Sequence, residues 1–222
     1  MTLPVTVLVV AKAPVPGQAK TRLAASVGDR AAADIAAAAL LDTLDAVAAA
    51  PVQARVVALT GDLDQASAGD EIRDTLEGFT VVDQRGADFA ERLANAHADA
   101  AAAAGDRPIL QIGMDTPQVT ADLITECAQA LLRVPAVLGM ALDGGWWVLG
   151  VSAAAMADCL RSVPMSRPDT GTVTLTALRN TGIDVSLVAE LADVDTVDDV
   201  DAVRRECAPD SRFARATQAA GV

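Results

Sequence analysis

A chain of 222 residues that is 52% hydrophobic has enough apolar material for a full core, is too apolar to stay disordered, and needs no staples. Its formal net charge of −13 and its 2% aromatic content argue against nucleic acid as a partner, because the surface repels phosphate backbones and offers few rings on which bases could stack. There is no apolar run of the ~18 residues that cross a bilayer, no basic stretch before the first apolar run, and no cysteine pattern for disulfides or a metal knuckle among Cys127, Cys159 and Cys207, so no membrane span is expected and a reducing cytoplasm is the natural setting.

In chain order, residues 5–11 form a β-branched apolar run that reads as a buried strand. A loop rich in turn residues follows, Ala13-Pro-Val-Pro-Gly-Gln-Ala-Lys20. A long alanine-rich helix is predicted over residues 30–50 and a second strand over 53–59. A weak helix near 71–76 leads to a third strand at 79–83, a helix at 89–104 and a fourth strand at 109–113. Thr120 is placed to cap a helix over 121–133. Strands at 136–141 and 146–151 flank Asp143-Gly144-Gly145. A helix near 153–160, a polar loop Ser166-Arg-Pro-Asp-Thr170-Gly171, a helix over 172–180 and a strand at 184–188 come next. Thr196-Val-Asp-Asp199 is a capping box for a last helix to about residue 207. Residues 1–222 read as one domain, with the tail 208–222 frayed and peripheral. The alternation of strands and helices means an α/β fold with a mostly parallel sheet and helices on both faces, in which ligands bind beyond the carboxyl ends of the strands.

The residues just after each strand are therefore the ones that matter. Lys12, Lys20 and Arg22 precede the first carboxylate of the chain, Asp29, and Lys12 and Lys20 are its only lysines. The Gly17-Gln-Ala-Lys20-Thr21-Arg22 loop offers a glycine for close approach, an ammonium, a hydroxyl and a guanidinium, which are parts for holding phosphates. It is not a Walker A loop, and no G-x-G-x-x-G occurs. Asp115 follows the fourth strand; because Thr120 can cap the next helix, Asp115 is free to hold a ligand or a hard divalent cation. Asp143-Gly144-Gly145 is either a plain hairpin turn or a turn whose glycines clear space while Asp143 bonds a ligand hydroxyl. Trp146 and Trp147 read as core or as one wall of a pocket. Asp195, Asp198 and Asp199 suit a helix N-terminus, whereas Asp193 lies outside the cap and could supply a second metal carboxylate. His97, the one histidine, reads as surface or packing; with no G-x-S-x-G, a Ser-His-Asp hydrolase is not expected.

Taken together, Ala11-Lys12-Ala-Pro-Val-Pro-Gly17-Gln-Ala-Lys20-Thr21-Arg22-Leu23, Gln84-x-Gly86 with Glu91-Arg92, Gly113-x-Asp115-x-Pro117, Asp143-Gly-Gly-Trp-Trp-Val-Leu-Gly150 and Asp193-Val-Asp-Thr196 resemble, in order and over nearly the whole chain, a bacterial glycosyltransferase A-like family of unknown function. That family is similar to nucleotide-diphospho-sugar transferases and, more distantly, to small nucleotidyltransferases. The resemblance implies a three-layer α/β/α fold with a mixed, mostly parallel sheet and a nucleotide over the first and fourth strands. It implies nucleotide contacts at Ala11, Lys12, Gly17, Lys20, Thr21, Arg22, Gln84, Arg92 and Asp115. It implies catalytic roles for Lys20, Asp115 and Asp143, substrate contacts at Asp143, Gly144, Gly145 and Thr170, and Mg²⁺ or Mn²⁺ on Asp115 and Asp193. Family members often carry proline at the position of Met140 and many carry Trp-Ser-Thr where this chain has Met165-Ser-Arg-Pro-Asp-Thr-Gly171, a loop expected to shape the acceptor site. The expected activity is glycosyl transfer from a nucleotide-diphosphate sugar to a small acceptor. Nucleotidyl transfer from a nucleoside triphosphate is the alternative, and a degenerate nucleotide-binding protein a third. Base, sugar, acceptor and oligomeric state are left open, a homodimer included.

Overall fold

A computed structural model describes residues 2–222. Seven strands form a single sheet: β1 (Leu3–Lys12), β2 (Val52–Thr60), β3 (Thr80–Asp83), β4 (Ile109–Gly113), β5 (Ala136–Met140), β6 (Trp146–Val151) and β7 (Val185–Leu187). Their order across the sheet is β3-β2-β1-β4-β6-β5-β7. β1 to β4 run parallel, β6 lies antiparallel between β4 and β5, and β7 is parallel to β5. The helices are α1 (Thr21–Val27), α2 (Asp29–Ala49), α3 (Gly69–Leu76), α4 (Phe89–Ala104), α5 (Ala121–Leu131), α6 (Thr170–Asn180), α7 (Val197–Glu206) and α8 (Arg212–Ala219). The expected three-layer mixed α/β fold is the one observed.

β1 is central because it is apolar on both faces. Val5, Val7 and Val9 pack with Leu40, Leu41 and Leu44 of α2, Ile72 of α3, and Ile124 and Leu131 of α5. Leu8 and Val10 point the other way, toward Leu93 and Ala96 of α4 and toward Leu138 and Leu149. A fully buried Leu or Val stabilises by roughly 1.5–3 kcal/mol, so a strand buried on both sides is the natural anchor of the sheet.

The elements differ from expectation in three places. Residues 21–27 form an additional helix, α1, where a loop was expected. The stretch Ala154–Ser162 is 3₁₀ rather than α. The tail is neither frayed nor peripheral, since α8 buries Phe213 completely in a third apolar cluster with Leu23, Ile35, Val200 and Val203. Asp42 of α2 accepts the backbone N–H of Phe213 at 2.8 Å and that of Arg212 at 3.1 Å, while Ser211 caps α8 by accepting from Ala214 at 3.1 Å.

Strand order reverses at the centre. β1 is followed by β2 on one side, yet its other neighbour is β4, with Val10 beside Gly113. The carboxyl ends of β1 and β4 thus open onto the same edge, the place where open α/β sheets form a crevice.

Candidate functional site

The β1–α1 connection begins at Lys12 and folds back through Gly17, whose φ of 76° suits glycine and strains other residues. Lys12 spans the loop, donating from Nζ to the Gln18 carbonyl at 2.9 Å. Lys20, at the start of α1, also has left-handed backbone geometry (φ 48°, ψ 49°), a strained conformation for a side-chain-bearing residue. Its side chain is 11% exposed, and its ammonium lies 2.8 Å from Asp115 Oδ2. The same Nζ donates to the Val194 carbonyl, and the Val194 N–H in turn reaches the Asp115 carbonyl at 3.3 Å. Three chain segments that are distant in sequence therefore meet at one ammonium, joining the cationic loop and the mid-chain carboxylate at the crevice.

Arg22 repeats the arrangement two residues on, pairing with Asp195 from the segment before α7. Thr21 is exposed beside it. The sequence offers no carboxylate near these cations, but the fold brings one to each. Asp195, which reads in sequence as a helix N-terminal charge, is the partner of Arg22 that sequence reading did not single out. The signal for it is slight: Asp193-Val-Asp195 alternates, so in an extended segment both carboxylates point the same way. Asp199 leaves Asp195 free for this by taking over the cap, accepting the Thr196 N–H at 2.7 Å.

Asp193 is half-buried. Burial pushes its carboxyl up to about 6, the Asp143 carboxylate and more weakly Asp115 add to the rise, and Lys20 opposes it. Asp143, Asp193 and Asp115 therefore share one field with Lys20. Among the described residues no cage of three or more His, Cys, Asp or Glu closes around a metal position. The donor set is an open one: the Asp115 carboxylate and Val194 carbonyl already converge on a positive charge, with Asp193 in the same field. Hard oxygens and one or two carboxylates, completed by substrate phosphates, fit Mg²⁺ or Mn²⁺.

Other expected contacts are braces in this structure. Gln84 Nε2 donates to the carbonyls of Ala11 at 2.8 Å and Ala58 at 2.9 Å, tying the ends of β1 and β2 together. Ala11 itself is buried. Arg92 Nε reaches the Gly86 carbonyl at 3.3 Å, and a Cβ on Gly86 would stand 2.9 Å from the Arg92 nitrogen. The β5–β6 turn is an Asx turn, with Asp143 Oδ1 accepting the Gly145 N–H at 2.7 Å. Its glycines face protein: a Cβ on Gly144 would overlap the Pro168 carbonyl, and Gly171 N–H donates to the Gly144 carbonyl at 2.8 Å. Asp143 is exposed, but Thr170 is buried, with its hydroxyl held by the Pro164 carbonyl at 2.9 Å and the Arg167 N–H at 3.0 Å. Thr170 thus shapes the loop behind the turn rather than facing the cleft. Trp147 is core, its Nε1 donating to Ala189 at 2.8 Å, and Trp146 is partly buried.

A family described as an uncharacterized protein conserved in bacteria (DUF2064) matches residues 43–167, more than half of the chain. Asp115 and Asp143 fall inside the matched stretch and Lys20 and Asp193 outside it. Among solved structures the chain is similar to a "putative nucleotide-diphospho-sugar transferase" from Desulfovibrio desulfuricans, at 25% identity and a TM-score of 0.84, with 99% of this chain and 97% of that chain covered. It is also similar to Rv0371c of Mycobacterium tuberculosis in complex with manganese, at 21% identity and a TM-score of 0.54, covering 91% and 98%. A third similar structure is a CMP:2-keto-3-deoxy-manno-octonic acid synthetase complexed with CTP, at 11% identity and a TM-score of 0.57, covering 97% and 99%. No curated protein sequence matches the chain significantly.

Proposed function

The chain belongs to the bacterial family DUF2064, and on that premise we propose that it is a transferase using an activated nucleotide with Mg²⁺ or Mn²⁺, transferring a glycosyl group from a nucleotide-diphosphate sugar to a small acceptor. The meeting of Lys20 and Asp115 at the carboxyl ends of β1 and β4 carries this reading. Lys20, Lys12 and Arg22 hold the phosphates, and Lys20 stabilises the departing diphosphate, where negative charge grows in the transition state. Asp115, with Asp193, would hold the divalent cation, which when bound adds charge neutralisation at the same oxygens. Asp143, exposed on the β5–β6 turn, would face the acceptor. The manganese bound to the similar mycobacterial protein supports the choice of cation, and the name of the Desulfovibrio protein supports that of the donor.

A second reading, nucleotidyl transfer with pyrophosphate release, is favoured by the three cations of residues 12–22, which suit a triphosphate, and by the CTP-bound relative. The free cysteines suit a cytoplasmic enzyme.

The test is a thermal-shift screen of nucleotides and nucleotide sugars with and without Mg²⁺, followed by product analysis, because a ligand that binds only the folded state raises its melting temperature. Free nucleoside diphosphate marks glycosyl transfer and pyrophosphate marks nucleotidyl transfer. Lys20→Ala is expected to weaken nucleotide binding by at least ~1 kcal/mol, the scale of one charge-assisted hydrogen bond, and Asp115→Asn to abolish its Mg²⁺ dependence. If no nucleotide stabilises the protein, or if both variants bind as the wild type does, the reading fails.

A further inference from the structure

We propose that Lys20 is a resident counter-cation that latches the cleft, so that a divalent cation and a polyanion each bind weakly alone and strongly together. This rests on the transferase reading above and concerns how its ligands are admitted. Lys20 is almost wholly covered, and its ammonium is engaged by Asp115 and the Val194 carbonyl. To carry a phosphate it must loosen its hold on Asp115; to carry a metal ion, Asp115 must loosen its hold on Lys20. Both ligands break the same pair. Once one has broken it, the other no longer has to, so the coupling is positive, and by linkage it is reciprocal.

Two further observations support a movable latch over a static surface pair. All other ion pairs among the described residues use arginine, so the one lysine pair stands at the crevice. A compact ammonium on a flexible stem re-aims where a planar guanidinium fork would lock. Lys20 combines a strained left-handed backbone with a covered side chain, and such strain persists only where surroundings hold it. Arg22 and Asp195 form an outer copy, with the guanidinium 67% exposed.

Because Lys12 and Lys20 are the only lysines, amine acetylation read by mass spectrometry reports the latch in the wild-type protein. In the free protein Lys20 is expected to be protected relative to Lys12. Saturating Mn²⁺ alone should expose Lys20, and adding inorganic pyrophosphate should protect it again. In parallel, Mn²⁺ binding is measured by electron paramagnetic resonance. Pyrophosphate should tighten Mn²⁺ about tenfold or more in the wild type, a typical coupling. Lys20→Met should bind Mn²⁺ alone several-fold tighter than the wild type and lose part of the pyrophosphate effect. If Mn²⁺ binds without changing Lys20 acetylation, or if Lys20→Met binds Mn²⁺ alone no better than the wild type, the latch is overturned while the transferase reading stands. If the wild type binds neither Mn²⁺ nor pyrophosphate, both fall.

Discussion

His97 sits fully buried mid-way along α4, and neither ring nitrogen has a hydrogen bond of good geometry. Burial lowers its basicity to about 4, against a smaller opposing effect of the nearby Gln111 side chain. In the unfolded chain it takes up a proton near pH 6.5. Between those values only the unfolded state binds the proton, so stability is full above about pH 6.5 and is lost as pH falls toward 4, by up to roughly 3 kcal/mol. Asp193, raised to about 6, works in the opposite direction over the same range, so the loss is read as a difference: between pH 7 and pH 5, urea unfolding should show the wild type losing about 2 kcal/mol more than His97→Gln. Gly144 is a second residue with a defined demand. Its φ is 91° and a Cβ would overlap the Pro168 carbonyl, so Gly144→Ala must displace the loop of residues 166–171. A left-handed non-glycine residue alone costs about 1–2 kcal/mol, so a melting temperature at least several degrees lower is expected. At this scale, the Lys20–Asp115 contact is legible in sequence, because the loop after β1 and the residues after β4 lie at the carboxyl ends of strands that pair. The Arg22–Asp195 contact is not, because no local pattern says which cation a loop carboxylate will meet.

Among the elements, α8 is the sharpest departure from expectation. It is only eight residues long and polar overall, burying Phe213, Ala214 and Thr217, so it reads as tail despite its one-sided pattern. What orders it is tertiary: the Phe213 ring in the third cluster and Asp42 on the helix's first N–H groups. Phe213→Ala should therefore cost about 3–5 kcal/mol, measured by chemical denaturation, whereas a peripheral tail would lose nothing. α1 escapes sequence reading for a related reason, since its only buried residue is Leu23. The strands of the sheet were legible, since β-branched runs bounded by Gly, Pro and Asp leave little alternative, and so was α5, whose cap Thr120 accepts from Leu123 at 3.1 Å. The 3₁₀ stretch reads like an α-helix because its composition carries no cue to its pitch.

For the whole molecule, the formal charge of −13 surrounds a crevice where Lys20 and Arg22 are each paired with one carboxylate, Asp115 and Asp195. Salt acts on the two in opposite ways, since the screening length falls from about 10 Å at 0.1 M to about 3 Å at 1 M. Added sodium chloride should raise the melting temperature by relieving carboxylate repulsion, while calorimetry records weaker nucleotide binding at the crevice. A shift of both in the same direction would count against phosphate-holding cations in an acidic body. The pieces of that site lie far apart along the chain: Lys20 and the Val194 carbonyl that accepts its hydrogen bond are 174 positions apart. A nascent polypeptide thus displays its basic loop early yet owns no finished binding cleft until the residues before its penultimate helix have been added. On the proposed function, half-made chains would not be retained on a nucleotide resin, so retention would report completed folding.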